Sequence, residues 1–176
     1  MQTSFLDLCL KRRSIRRYEE REVSSEQLDY ILSCALTAPS SKASRPWEFV
    51  VVRNRAVLAQ LSQCRTYGSQ LLCSTSLAIV VCVDPSLTDT WQLDGAIAAE
   101  HLLLAAEDQG LGGCWVQILN RGTDEGDNAE EAAKQLLGIP EQLRVICAVS
   151  IGYKAEERKV QQKDKLLYSK IHYGKF

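Results

Sequence analysis

The stretch IAAEHLLLAA, residues 97–106, is the most apolar helical segment of the chain. It belongs to a helix that we predict from about Thr90 to Gln109, with Gly110 as a natural C-terminal stop. Its apolar side chains point in nearly every direction around the helix axis. We therefore expect this helix to lie at the centre of the protein or to pack against a partner.

Short apolar runs rich in β-branched residues surround this helix in the sequence, and their pattern indicates buried strands. They are Trp47 to Arg53, Leu77 to Val83, Cys114 to Ile118 and Val145 to Ile151. Capping signals predict three further helices. The first starts at Thr3 or Ser4 and runs to about Arg13. The second starts at Ser24, with Gln27 completing the capping signal, and stops before Pro39. The third starts at Asp127 or Asn128 and ends at Gly138.

Length and composition favour one globular domain over residues 1–176, with 45% hydrophobic and 24% charged residues. The net charge of −1 argues against nucleic-acid binding, which needs a strong basic surface. No apolar run is long enough for a membrane helix, and Met1 to Leu10 contains no signal-like stretch. We expect a cytoplasmic protein with no membrane partner.

Familiar catalytic motifs are missing from the sequence. Neither a phosphate-binding P-loop nor a zinc-protease, serine-hydrolase or zinc-finger spacing occurs, so we predict no metal site. The seven cysteines show no C-x-x-C spacing and are expected to be small buried hydrophobes. Trp115 occupies the place of the third glycine of a dinucleotide fingerprint that would start at Gly110. A nicotinamide cofactor would have to bind without its usual domain.

One cluster of cations stands out. The segment KRRSIRR, residues 11–17, places five cations and a hydroxyl within seven residues, and arginine forks suit phosphate oxygens. The alternative is a solvated helix end whose charge is offset by nearby glutamates. The turn Pro39-Ser40-Ser41 adds hydroxyls and free backbone N–H groups, although such a turn is also ordinary loop chemistry.

Three sequence blocks together resemble the nitroreductase family. They are Arg12-Arg13-Ser14-Ile15-Arg16-x-Tyr18, then Ala38-Pro39-Ser40-Ser41 followed by Pro46-Trp47-x-Phe49, then Gly110-Leu111-Gly112-x-Cys114-Trp115. The resemblance implies an α+β fold with a central, mostly antiparallel sheet of four to five strands flanked by helices. It also implies an intertwined homodimer with two flavin sites at the interface.

The resemblance further implies which residues hold the cofactor, FMN. Arg12, Arg13, Ser14 and Arg16 would bind its phosphate, ribityl chain and ring edge. The partner subunit would supply Pro39, Ser40 and Ser41, and Ala43 and Arg45 stand where the family often has Asn and Gln. Leu111, Gly112 and Gly113 would lie beside the ring, where a side chain would block approach. Gln70 is a further expected ring contact, and Lys163 and Lys165 resemble a C-terminal pair that returns to the phosphate.

By the same resemblance, the chain is expected to be an oxidoreductase with a ping-pong mechanism. It would first take hydride from NADH or NADPH and then reduce nitroaromatics, quinones or similar small acceptors. The flavin carries that chemistry, so no catalytic side chain is required. Two alternatives stay open. One is a different reaction on the same fold, such as enone reduction, dehalogenation, flavin reduction or flavin breakdown; the other is a non-catalytic FMN-binding protein.

Two segments invite structural hypotheses. The arm from about 154 to 176 is polar and then apolar, and it is expected to reach the partner subunit because it cannot fold alone. The glycine-containing segment 119–127 is either a mobile lid over the site or a plain surface connection.

Overall fold

The computed structural model describes residues 4–176. Five helices and four strands make up its regular structure, together with several short 3-10 turns. In chain order they are α1 (Phe5–Lys11), α2 (Ser25–Leu36), β1 (Trp47–Val52), α3 (Arg55–Leu61), β2 (Leu77–Val83), α4 (Trp91–Asp108), β3 (Gly112–Gln117), α5 (Ala129–Leu137) and β4 (Arg144–Gly152).

The four strands form one antiparallel sheet in the order β1-β2-β4-β3. Every residue of β2 is buried, as its continuous apolar run predicts for a central strand. All four predicted strands are present, with ends that agree within two residues. The predicted α+β architecture with an antiparallel sheet is confirmed.

Helices cover both faces of this sheet. Along β2, Ile79 and Val81 face a core shared with α2 and α4, whereas Ala78 and Val80 face a core shared with α3 and α5. Helix α4 contacts all four strands, which confirms its predicted central position. Its outer side nevertheless leaves large apolar side chains exposed, including Leu93 and Ile97.

Most helix ends follow the local sequence signals. Ser24 and Gln27 form the predicted capping box of α2, and Asn128 caps α5, which ends at Gly138 with φ of 64°. Ser4 caps α1; the alternative cap, Thr3, lies outside the described residues. Helix α1 ends at Lys11, two residues before the predicted end, because the following arginines run in an extended segment.

Candidate functional site

The arginine-rich segment after α1 lies along the edge of the sheet. Ser14 pairs in parallel with Gly113, and the Ile15 N–H donates to the Gly113 carbonyl oxygen at 3.0 Å. The buried Tyr18 hydroxyl fixes the far end of the segment by donating to the Ile15 carbonyl oxygen at 2.6 Å. It also lies 2.7 Å from the hydroxyl of Ser150 on β4. The arginine-rich block and the glycine-containing block, which the resemblance places in the same site, are therefore in contact within one chain.

The polar stem, residues 154–161, runs antiparallel to this segment on its other side. The Ala155 N–H donates to the Arg17 carbonyl oxygen, and the Gln161 N–H donates to the Leu10 carbonyl oxygen, each at 3.0 Å. Between these two bonds, an Arg13 guanidinium N–H donates to the Lys159 carbonyl oxygen. The stem thus packs on its own subunit.

A cleft of about 390 Å³ opens between the arginine-rich segment and the polar stem. It is lined by Arg12, Arg13, Ser14, Arg16, Arg158 and Gln161. Glu156 borders the cleft and accepts the Arg16 backbone N–H at 2.7 Å, which lowers the pKa of its carboxyl below the usual range. Positive charge dominates the lining, so the cleft can accept an anion with several oxygens.

The residues at the start of β3 have a packing role that the sequence did not reveal. Leu111 is fully buried in the core. A Cβ on Gly112 would lie 2.7 Å from Ile15, and a Cβ on Gly113 would lie 2.9 Å from Leu103. These contacts exclude a side chain at both glycines within one chain, whether or not a cofactor lies beside them. The expected contact of this stretch with the flavin ring stays a prediction.

The loop before β1 holds the second expected block. Ser40 and Ser41 are half-buried: the Ser40 hydroxyl accepts the Arg45 N–H at 2.8 Å, and the Ser41 N–H donates to the Asp94 carboxylate at 3.1 Å. Pro39 and Ala43 are exposed. Backbone φ is +51° at Lys42, +53° at Ala43 and +48° at Arg45. Left-handed conformations outside glycine cost about 1–2 kcal/mol each, and such strain concentrates at functional sites.

This loop lies far from the arginine cleft of the same subunit. Trp47 begins β1 opposite Val83, whereas Gly112 begins β3 opposite Gly152, at the other end of the sheet. Strands β1 and β3 also form opposite edges. Strand geometry puts the two corners roughly 20 Å apart along the strands and roughly 14 Å apart across them. One subunit therefore does not bring all the expected residues together.

Three other expected residues lie outside the cleft. The Gln70 side chain bonds within its own loop, accepting the Gly68 N–H at 2.7 Å and donating to the Thr66 carbonyl oxygen at 2.6 Å. Lys163 and Lys165 are exposed on a short 3-10 turn beyond the stem. Arg158 and Gln161 line the cleft instead, and no sequence motif predicted either residue. The strongly polar composition of 154–165 was the only available signal.

The segment 119–127 forms a small hydrogen-bonded turn. Gly122 pairs with Asn128, the Thr123 N–H donates to the Asp127 carbonyl oxygen at 3.0 Å, and the Asp124 N–H donates to the Thr66 hydroxyl at 2.8 Å. It follows the end of β3 that is farthest from Gly113. These features favour the plain-connection hypothesis over the lid.

Within residues 4–176 no three His, Cys, Asp or Glu side chains are placed to hold a metal ion, and no helix is both long and apolar enough to cross a membrane. All seven cysteines are unbridged, and burial raises the pKa of the Cys147 thiol well above its ordinary value. The arginine cleft is the strongest candidate site.

Comparison with known proteins agrees with this architecture. The family model described as "Nitroreductase family" matches residues 9–66 and 85–153. An Archaeoglobus fulgidus protein provisionally named NADH dehydrogenase/NAD(P)H nitroreductase is 40% identical over 167 residues, covering 90% of this chain and 92% of its own length. The NADPH-flavin oxidoreductase of Vibrio harveyi is 27% identical over 174 residues, covering 89% of this chain and 68% of its own. An FMN-dependent nitroreductase structure from Clostridium difficile superposes with a TM-score of 0.95 at 43% identity, covering 98% of this chain and all of the other.

Proposed function

This chain belongs to the nitroreductase family, and from that premise we propose that it is an FMN-dependent oxidoreductase that uses NADH or NADPH to reduce nitroaromatics, quinones or similar small acceptors. The observation that carries the proposal is the arginine cleft, held against β3 by the bond between Ile15 and Gly113. Relatives named for FMN and NAD(P)H chemistry support the choice of cofactor and reductant.

The cleft suits the phosphate end of FMN. Arg12, Arg13, Ser14 and Arg16 line it. Hydrogen bonds from charged donors to a phosphate contribute roughly 1.5–3 kcal/mol each. Because the same segment pairs with β3, a phosphate held here would place the rest of the cofactor near the start of that strand.

FMN, when bound, supplies the electron and hydride transfer, and the protein supplies binding and orientation. Arg12, Arg13 and Ser14 would hold the phosphate. The Ser14–Gly113 pairing and the Tyr18 hydroxyl keep the backbone of this segment in one position. A backbone held in one position does not have to be ordered when the phosphate binds, which lowers the entropy cost of binding.

We propose that the active unit is a homodimer in which the Ser40 loop of one subunit completes the site of the other. The separation of the two corners supports this arrangement, because one cofactor can contact both sets of residues only across an interface. The strained left-handed residues of the loop also fit a binding role.

Exposed apolar surface gives a second argument for the dimer. On one side, α1 and α4 present Phe5, Leu93 and Ile97 to solvent. The C-terminal hook, residues 166–176, presents further large side chains, of which Tyr173 is 90% exposed. Apolar patches of this kind usually mark protein–protein contacts. We propose that the hook crosses to the partner subunit, so that the crossing segment starts after the stem.

The proposal is tested by the absorption spectrum of the purified protein and by NAD(P)H oxidation with a nitroaromatic acceptor. We expect a yellow protein that releases FMN on heating. Arg12→Ala should weaken FMN binding by about tenfold or more, the effect of losing one charged hydrogen bond. Arg17→Ala is the matched control, because Arg17 adjoins the cleft but does not line it. Equal FMN affinity in both variants would contradict the site.

A further inference from the structure

We propose that Arg158 binds the cofactor phosphate and that Glu156 is the residue that positions it. This inference rests on the proposed function and adds to it two residues of the polar stem that the resemblance does not assign to the site. The resemblance points to Lys163 and Lys165 as the C-terminal cations of the site, whereas the structure puts Arg158 in the cleft.

The backbone around Arg158 is fixed on both sides. Upstream, Lys154 pairs with Tyr18 and the Ala155 N–H bonds to the Arg17 carbonyl oxygen. Downstream, the Gln161 N–H bonds to the Leu10 carbonyl oxygen. The Arg158 side chain itself is 44% exposed, so a ligand in the cleft can reach its guanidinium.

Glu156 joins the two walls of the cleft through one carboxylate. Its Oε1 accepts the Arg16 backbone N–H at 2.7 Å, and its Oε2 pairs with the Arg158 guanidinium at 2.8 Å. The Glu156 side chain is only 13% exposed, which restricts the directions in which it can hold Arg158. The carboxylate therefore sets the position of Arg158 relative to the arginine-rich segment.

The charge balance agrees with a phosphate ligand. Four arginines line the cleft, and two carboxylates pair with arginines of this set, Glu156 with Arg158 and Glu100 with Arg12 at 3.7 Å. Two positive charges remain in excess. A phosphate monoester carries about −1.5 to −2 at neutral pH and would neutralise them.

Two flavins that differ only in the phosphate provide the test, FMN and riboflavin. We expect Arg158→Ala to raise the dissociation constant for FMN about tenfold and to leave that for riboflavin within about twofold. Arg55→Ala, an exposed arginine at the start of α3, is the control and should change neither constant. A Lys163→Ala/Lys165→Ala double variant should lose less FMN affinity than Arg158→Ala.

A second pair of variants tests the positioning role. Glu156→Gln keeps an oxygen for the Arg16 N–H but loses the charge that holds Arg158, so FMN binding should weaken severalfold. In the Arg158→Ala background the same change should cost no further FMN affinity, because there is no guanidinium left to position. If Arg158→Ala folds poorly, Arg158→Lys takes its place in these measurements, because lysine keeps the positive charge but lacks the paired N–H donors of a guanidinium.

Each contrary result has a distinct meaning. If Arg158→Ala lost the same affinity for FMN as for riboflavin, Arg158 would have only a structural role. An unchanged FMN constant in Arg158→Ala, with a large loss in the Lys163/Lys165 double variant, would restore the assignment from resemblance. If the unaltered protein binds neither flavin, or binds FMN no better than riboflavin, the proposed function itself fails.

Discussion

The Ile15 backbone N–H donates a 3.0 Å hydrogen bond to the carbonyl oxygen of Gly113. This bond joins two segments that lie far apart in the sequence and makes the arginine-rich segment an extension of the sheet. The Ile15 side chain is buried against the start of β3. Cleft geometry is therefore tied to the packing of one isoleucine on one glycine.

Gly112→Ala tests that coupling. The new Cβ would lie 2.7 Å from Ile15, so the arginine-rich segment would have to move away from β3. We expect a loss of about 1–3 kcal/mol in unfolding free energy, the usual cost of overpacking. FMN affinity should fall by about tenfold or more, as for loss of one charged contact. Urea denaturation and FMN titration measure the two effects.

Gly138→Ala serves as its control. Gly138 ends α5 with φ of 64° and has open space around it, so alanine there strains the backbone without touching the site. Gly138→Ala should lower the free energy of unfolding by about 1–2 kcal/mol, a loss similar to that of Gly112→Ala, and leave FMN affinity unchanged. If both variants lost FMN affinity alike, general instability would explain the result and the coupling would be refuted.

Local signals were enough to predict most of the fold. The capping box at Ser24 and Gln27, the left-handed glycine at Gly138 and the apolar run of β2 each depend on neighbours within a few residues. The seven-residue helix α3 was not predicted, although Asn54 caps it by accepting two backbone N–H groups. So short a helix is stabilised by tertiary packing, here of Leu58 and Leu61, and not by its own propensity.

The site was harder to predict because it depends on long-range contacts. The arginine cluster was visible as a run of cations, but the stem that faces it follows more than a hundred residues later. No periodicity in the stem shows that Arg158 points into the cleft or that Glu156 turns towards Arg16. The role of Gly112 was equally hidden, since its neighbour is Ile15.

Mixing two defective variants tests the shared site of the proposed dimer. Arg12→Ala removes a contact from the cleft, and Ser41→Tyr fills the half-buried loop with a bulky ring. Each homodimer should bind FMN poorly. After co-refolding at equal amounts, half of the dimers are mixed and each has one intact site, so about a quarter of the sites should bind FMN normally. No recovery above the separate variants would mean that both residues act within one subunit.

Truncation tests the role of the hook. A chain that stops after Gln162 keeps the stem and its bond to Leu10 but lacks the exposed apolar end. We expect monomers or aggregates by light scattering after gel filtration, together with loss of FMN, because the partner's loop is no longer in place. Lys170→Ala in the full chain should remain dimeric. A flavin-loaded dimer from the truncated chain would show that the hook is dispensable.

Arg121→Ala tests whether the segment 119–127 closes over the site. Arg121 is exposed, and its turn is tied to Thr66 and Asn128 at the end of β3 away from the cleft. We therefore expect unchanged Michaelis constants for a nitroaromatic and a quinone, with FMN affinity within about twofold, or ~0.4 kcal/mol. A selective rise for one acceptor would revive the lid hypothesis.

Glu130 anchors α5 to the sheet, and its ionisation should make stability depend on pH. The carboxylate is 4% exposed, accepts two hydrogen bonds from Arg144 at 2.7 and 2.9 Å, and accepts the Val145 N–H at 2.9 Å. Burial on its own would raise the pKa of Glu130, but these donors outweigh it and hold the pKa below its usual value.

A lowered pKa in the folded state means that the ionised carboxylate stabilises the fold above the unfolded value of about 4.3, and that this contribution disappears as the pH falls through the folded value. Glu130→Gln should therefore cost about 2–4 kcal/mol in urea denaturation at neutral pH, less than a fully buried pair because Arg144 is partly exposed. As the pH falls through the lowered folded-state pKa of Glu130, the difference from the unaltered protein should shrink, because the carboxylate then becomes protonated. Glu131→Gln removes a 48% exposed carboxylate 3.9 Å from Lys134 and should cost about 0–1 kcal/mol at neutral or acidic pH. A pH-independent loss in Glu130→Gln would show that hydrogen-bond geometry, and not charge, holds α5 to β4.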